Sequence, residues 1–301
     1  MKDSNPALAI AVFAHNESAR ITACLESIRV SIINSPCNAL PEDSFQCFVL
    51  ANGCSDNTAQ VVAEYQKQYS WVNLVDIKEG DKSNAWNVFV HDVAVEAETY
   101  IFMDGDCEVV GDSLYQLYQY QKMHPNKNAL AAIPMDIGRG TKQQIITMVT
   151  RGGLAGNLYA LPHQFIKRVR TENIKLPIGT IGEDSLVGAL ACFDLDVTKG
   201  WDRTRIGVCE QARFTYEPMG WLSWREWKVY YRRKQRYSIR HWQNKMIKAI
   251  LTTKGPHYLP GDVKDMYQHY LQEIKLSWRG LDTYFDMLAW RQINKDTEQV
   301  K

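Results

Sequence analysis

The chain of 301 residues has no run approaching twenty apolar residues, so none of it is expected to cross a bilayer as a helix. The apolar run at residues 7–14 is also too short for a secretory signal core with its usual flanks. A cytoplasmic protein is expected, soluble or at most peripheral at the inner face of a membrane. The seven cysteines are odd in number, scattered and without a Cys-x-x-Cys pair, which fits free thiols in a reducing compartment and disfavours a zinc site. No Walker A loop or Gly-x-Gly-x-x-Gly follows an apolar run, and no two histidines stand four apart, so the commonest ATPase, dinucleotide and two-histidine metal signatures are missing. Net charge is nearly absent too: a balance of +1 argues against a polyanion-binding surface over the whole chain and makes nucleic acid an unlikely partner.

What is present is an ordinary globular composition, 45% hydrophobic and 23% charged, long enough to bury a full core. Apolar, β-rich runs at 8–14, 45–51, 72–77, 100–103 and 129–135 alternate with helical patterns at 18–31, 57–69, 82–97 and 113–123. This order predicts an α/β fold with parallel strands and crossover helices. In such a sheet, ligands gather where the loops leave the carboxyl ends of the strands. Those loops are polar here: His15-Asn16-Glu17, Asn52-Gly53-Cys54-Ser55-Asp56, Gly80-Asp81-Lys82-Ser83-Asn84 and Asp104-Gly105-Asp106. Residues 139–175 read as an acceptor-facing insertion with a basic stretch, Lys167-Arg168-Val169-Arg170. Residues 178–182 read as a glycine-rich loop that delivers Glu183 and Asp184 to a helix start, 205–216 as strand, and 221–248 and 262–290 as long helices.

Asp104 and Asp106 flank one flexible residue after a buried run, Tyr100-Ile101-Phe102-Met103. Two carboxylates so placed can share a hard cation, Mn2+ or Mg2+, that completes its shell with substrate phosphates. The plain alternative is an Asp-Gly turn. Of Glu183 and Asp184, either could serve as general base or simply cap the helix, and Glu183 is also a candidate diphosphate or acceptor contact. The segment from Trp221 to Tyr237 is basic and aromatic. Trp221, Trp224, Trp227 or Lys228, and Tyr231 recur at helical spacing, so 221–248 either packs with a solvated basic face or contacts a membrane surface or phosphates, with Arg233 and Arg236 as diphosphate or acceptor contacts.

Taken in order, Phe13-Ala14-His15-Asn16-Glu17, Asn52 to Thr58, Lys82 to Asn87, Met103-Asp104-Gly105-Asp106 and Gly182-Glu183-Asp184 resemble glycosyltransferase family 2 over roughly the first two thirds of the chain. The resemblance implies a GT-A type fold: a single Rossmann-like domain with a mostly parallel central sheet flanked by helices, followed here by a C-terminal helical extension. It divides the chain at 1–220, with donor binding in about 1–137 and the acceptor side in 138–220, and an extension at 221–301. It further implies a nucleoside-diphosphate sugar donor, a hydroxyl-bearing acceptor (glycan, lipid carrier or small molecule) and inversion at the anomeric carbon. Donor contacts are implied for Asn16, Glu17, Asn52, Asp56, Lys82, Asn84 and Asp104, metal contacts for Asp104 and Asp106, and the base role for Asp184. Asn52 departs from the aspartate common at its position, which opens the choice of base. Processive members carry Gln-x-x-Arg-Trp, whereas this chain has Gln235 and, apart from it, Arg240-His241-Trp242, which implies single transfer. A metal-dependent nucleotidyltransferase and a catalytically silent binding protein of the same fold are the alternatives.

Overall fold

The computed structural model describes residues 5–36, 39–41, 44–135, 139–216 and 224–298, without the side chains of 139, 140, 224–229, 296 and 298. Strand β1 (Leu8–Ala14) is buried at every position, as a strand covered on both faces must be. It pairs in parallel with β2 (Phe45–Asn52), to which β3 (Val72–Ile77) adds in parallel, and on its other side with β4 (Thr99–Asp104). Its side chains alternate between two cores. Leu8, Ile10 and Val12 share a core with α1 (Ile21–Ile33) and α2 (Thr58–Gln68). Ala9, Ala11 and Phe13 face α3 (Lys82–Val88), which continues as a π turn over Phe89–Val93.

The strand–helix alternation of the sequence holds up to β4 and then changes. Asp104 ends β4, Gly105 and Asp106 turn, and the chain passes straight into β5 (Cys107–Val110) at the far edge of the sheet. Helix α4 (Ser113–Met123) and β6 (Ala129–Pro134) follow. The segment read as an insertion supplies α5 (Arg139–Arg151), β7 (Leu158–Pro162) and α6 (His163–Thr171), and β7 enters the middle of the sheet, antiparallel to both β4 and β6. All five of its positions are buried, and so short an apolar run shows no period that would have separated it from a loop. After α7 (Glu183–Phe193), β8 (Ile206–Tyr216) runs parallel to β6, shifts register and pairs antiparallel with β5. The sheet order is β3-β2-β1-β4-β7-β6-β8-β5, mixed and mostly parallel.

The basic stretch on α6 serves the fold. Arg168 pairs with Asp194, and Arg170 binds Glu96 at 2.7 Å and the carbonyls of Val90 and Ala94 at 2.6 and 3.0 Å. The first C-terminal helix is α8 (Trp224–Thr253). Trp221 and the side chains of Trp224, Trp227 and Lys228 lie outside the described residues, while Tyr231 packs edge-on against Phe285. The single helix expected over 262–290 is instead two, α9 (Val263–Tyr270) and α10 (Asp282–Glu298). A short 3-10 turn and an irregular strap separate them, with Gly280 at φ 63°, a left-handed backbone that interrupts a helix. Trp242, Met246 and Ile250 of α8 share one core with Leu186 and Leu190 of α7, so the C-terminal helices complete the face on which α7 lies.

Candidate active site

The β1–α1 and β2–α2 loops are laced together by Asn16. It adopts φ 58°, a conformation asparagine tolerates better than most residues, and its Oδ1 accepts from the Ser55 N–H at 2.8 Å and the Asp56 N–H at 3.3 Å. Asp56 is itself occupied: one oxygen accepts from the Thr58 N–H and hydroxyl, the other from the Ser18 N–H at 3.1 Å. These bonds, the Thr58 hydroxyl foremost, hold its carboxyl well below the usual range. Asn52 is buried and its Oδ1 accepts from the Asp81 N–H at 2.9 Å, which leaves the amide NH2 as the group it can offer outward. Burial pushes the Glu17 carboxyl up, with Asp106 as the next cause and Arg20 opposing.

Asp81 caps α3. Its Oδ1 accepts from the Asn84 N–H at 2.7 Å and its Oδ2 from the Gly179 N–H at 2.8 Å, so one carboxylate ties the helix start to the loop before α7. The Asn87 amide makes a two-way bond with the backbone of Leu176 and is spent on the same junction. One step beyond the cap, Lys82 places its Nζ 2.5 Å from Asp104 and 2.7 Å from Glu183, over the face of Phe13 at 5.2 Å. Burial alone would lower the ammonium, but the two carboxylates outweigh it and hold Lys82 well above its ordinary value. Burial raises Asp104 to about 6, with Glu183 and Asp106 adding and Lys82 opposing.

Gly105 lets β4 turn here, since a Cβ would lie 3.1 Å from the Phe13 carbonyl. The turn brings carboxylate oxygens of Asp104 and Asp106 and the Cys107 sulfur within 4.8 Å of one another. Burial pushes the Cys107 thiol up and keeps it protonated, so the set offers hard oxygen donors and suits Mg2+ or Mn2+ better than a thiophilic metal. On the opposite wall, Asp184 is held by Arg240 of α8 at 3.2 Å, and Arg240 also donates to Ser185. Burial raises the Asp184 carboxyl, Arg240 opposing and Glu183 adding. Carboxylates outnumber cations in this cluster, an imbalance that favours one more bound cation.

The family model described as Glycosyl transferase family 2 matches residues 9–182, more than half of the chain and from β1 to the glycine before α7. The chain belongs to glycosyltransferase family 2. A search of curated proteins by sequence finds no significant match. Among solved structures, this glycosyltransferase is similar to a mannosyltransferase from Pyrobaculum calidifontis in complex with GDP-Man and Mn2+, at 16% identity and a TM-score of 0.61 over 99% of this chain and 77% of the other. It is also similar to S. aureus TarS 1–349 in complex with UDP-GlcNAc, at 14% identity and a TM-score of 0.53 over 98% and 92%. The fold is therefore of the GT-A type.

In this glycosyltransferase the structure gathers Lys82, Asp104, Asp106, Glu183 and Asp184 in one cluster, with Glu17 within electrostatic reach of Asp106. Asn84 enters through its backbone N–H, at the cap. Arg233 and Arg236 lie exposed on α8, and the arginine that reaches the cluster is Arg240, one turn beyond Arg236. Sequence reasoning missed Arg240 because nothing around it marks a partner so far back in the chain. Asp81 carried a signal, an aspartate just before a helix start. Gln243 carried none: it accepts from the Ile181 N–H at 2.7 Å and donates to the Gly179 carbonyl at 2.9 Å, fixing the loop that presents Glu183 and Asp184.

Proposed function

We propose that this glycosyltransferase moves a sugar from a nucleoside-diphosphate sugar to a hydroxyl acceptor, one transfer at a time and with inversion, using a divalent cation. The observation that carries the reading is the Asp104–Lys82–Glu183 ion-pair chain, which joins the donor-side turn to the helix start bearing Asp184. Asp104 and Asp106 would hold Mn2+ or Mg2+, whose charge neutralises the departing diphosphate. Lys82 adds a fixed positive charge beside the same phosphates. The solved relatives carry GDP-Man with Mn2+ in one case and UDP-GlcNAc in the other, which supports a nucleotide-sugar donor here.

Asp184 is the base that takes the acceptor proton as the hydroxyl attacks the anomeric carbon. Its raised carboxyl is a better proton acceptor than an ordinary aspartate, while Glu183 is committed to Lys82. Attack by the acceptor itself, opposite the leaving diphosphate, inverts the configuration. Arg233 and Arg236 stand seven and four residues before Arg240, on the same side of α8, and extend a positive edge from the base toward an acceptor. Asn16, Glu17 and Asn52 border the nucleoside, Glu17 toward ribose hydroxyls and Asn52 offering its amide NH2 to an acceptor atom of the base. Asp56 sets the shape of that loop. The extension at 221–301 works with 1–220 as one unit, because Arg240 and Gln243 brace the loop and base of the catalytic part.

Thermal-shift titration with Mn2+ and GDP, UDP or nucleoside triphosphates tests the donor class. Larger stabilisation by a diphosphate or its sugar ester is expected. Larger stabilisation by triphosphates would point to nucleotidyl transfer and overturn the reading.

A further inference from the structure

The strap between α9 and α10 exposes large apolar side chains to an unusual degree. Trp278 is 85% exposed and Leu281 90%, with Leu276, Tyr284, Met287 and Trp290 each exposed by two fifths or more. The strap is not loose. The Lys245 ammonium of α8 donates to the Lys275 carbonyl and the Ser277 hydroxyl, both at 3.2 Å. Arg279 binds both oxygens of the buried Asp286 at 3.0 and 3.1 Å. Trp278 and Leu281 are thus presented outward by a fixed backbone. The strap also borders a crevice of about 400 Å³, lined by Ile274, Leu276, Trp242, Met287 and Trp290 among others.

The charges that reach this face are mainly cationic: Lys245 and Lys234 come from α8, and Lys275 and Arg279 belong to the strap itself. Lys234 joins α8 to the strap, 5.9 Å from the Tyr230 ring and 2.8 Å from Asp282, the residue after Leu281. Tyr230 and Tyr237 are exposed on the same helix. No helix among the described residues is long and apolar enough to cross a membrane.

We propose that this face docks on an anionic phospholipid surface, with Trp278 and Leu281 entering the headgroup boundary and the lysines beside them, Lys234, Lys245 and Lys275, meeting lipid phosphates. Indole and aliphatic side chains flanked by lysines suit an interface that is apolar on one side and negatively charged on the other. Contact then runs through the strap at 274–281 together with Lys234 and Lys245 of α8. The proposal is independent of the donor chemistry, since neither Trp278 nor Leu281 belongs to the Lys82 cluster.

Cosedimentation of the full chain with phosphatidylcholine vesicles, with and without about 30% phosphatidylglycerol, tests it. Binding is expected only to the anionic vesicles, weakening with salt, and falling at least about tenfold in the Trp278→Ser, Leu281→Ser double variant. That variant should keep the wild-type melting temperature and nucleotide-sugar turnover in vesicle-free buffer, which separates membrane docking from folding and from catalysis. Equal vesicle binding by wild type and variant would overturn the proposal. So would self-association in sedimentation velocity that the double variant abolishes, because the face would then be covered by a second copy of the chain.

Discussion

Replacing Lys82 by methionine leaves Asp104 and Glu183 without the ammonium that now lies 2.5 and 2.7 Å from them. Because Lys82 retains some solvent contact, the expected loss of stability is about 1–3 kcal/mol, below the figure for a fully buried pair. Turnover should fall roughly a hundredfold or more, as for loss of a charge placed at a developing anion. Denaturant unfolding and initial rates read the two effects separately. Asp104 gives the site its pH dependence. Its carboxyl titrates at about 6 in the folded chain against 3.8 ordinarily, so the folded state holds the proton more tightly and the group's contribution to stability declines as pH rises from about 4 to 6. A divalent cation needs the ionised form. Stabilisation by Mn2+ should therefore be large at about pH 7.5 and fade as pH falls below about 6, measurable as a metal-induced change in melting temperature. A metal shift that is flat across this range would contradict the assignment of Asp104. At this scale candidates were legible where the cue is local. Asp104, Asp106 and Asp184 stand beside their own structural cues, a strand end and a helix start, whereas the Lys82 pairings depend on contacts between distant segments that no local pattern encodes.

The loop that presents Glu183 and Asp184 depends on a helix introduced much later in the chain. Gly182 adopts φ 79°, and a Cβ there would sit 2.2 Å from the Arg240 Cζ. Gly182→Ala should displace Arg240 and Asp184 together, lowering kcat by roughly ten- to a hundredfold with little change in nucleotide affinity, since the donor loops lie elsewhere. Steady-state kinetics beside a nucleotide titration checks this. Gln243, 1% exposed, spends its amide on Ile181, Gly179 and the Tyr267 hydroxyl. Gln243→Ala should cost about 2–4 kcal/mol of stability from the lost bonds and the polar groups left buried, read by urea unfolding. Elements with long, regular patterns were legible: β1 to β4, α1, α2, α4 and α8 fall close to where periodicity places them. β7 was not, because five buried apolar residues carry no period, and the break between α9 and α10 was not, because the apolar spacing resumes in register after the strap.

For the whole molecule, the carboxyl ends of β1, β2 and β4 and the start of α7 converge on one cluster of charged residues, to which α8 adds Arg240. The order of the polar loops along the sequence, through the family it resembles, was enough to anticipate the GT-A architecture. The contacts of Arg240 and Gln243 with the start of α7 and its loop were not legible, since they are brought in by packing of the C-terminal helices. The central claim is that Asp104 and Asp106 hold a cation for a nucleotide-sugar donor while Asp184 acts as base. The most direct measurement is release of nucleoside diphosphate from a panel of nucleotide sugars, with Mn2+ or with chelator, for the wild type, Asp106→Ala and Asp184→Asn. Mn2+-dependent release from at least one nucleotide sugar is expected, lost with chelator and in Asp106→Ala, and reduced roughly 10²–10⁴-fold in Asp184→Asn with donor affinity retained. Release that is indifferent to chelator, or variants that both match the wild type, would contradict it.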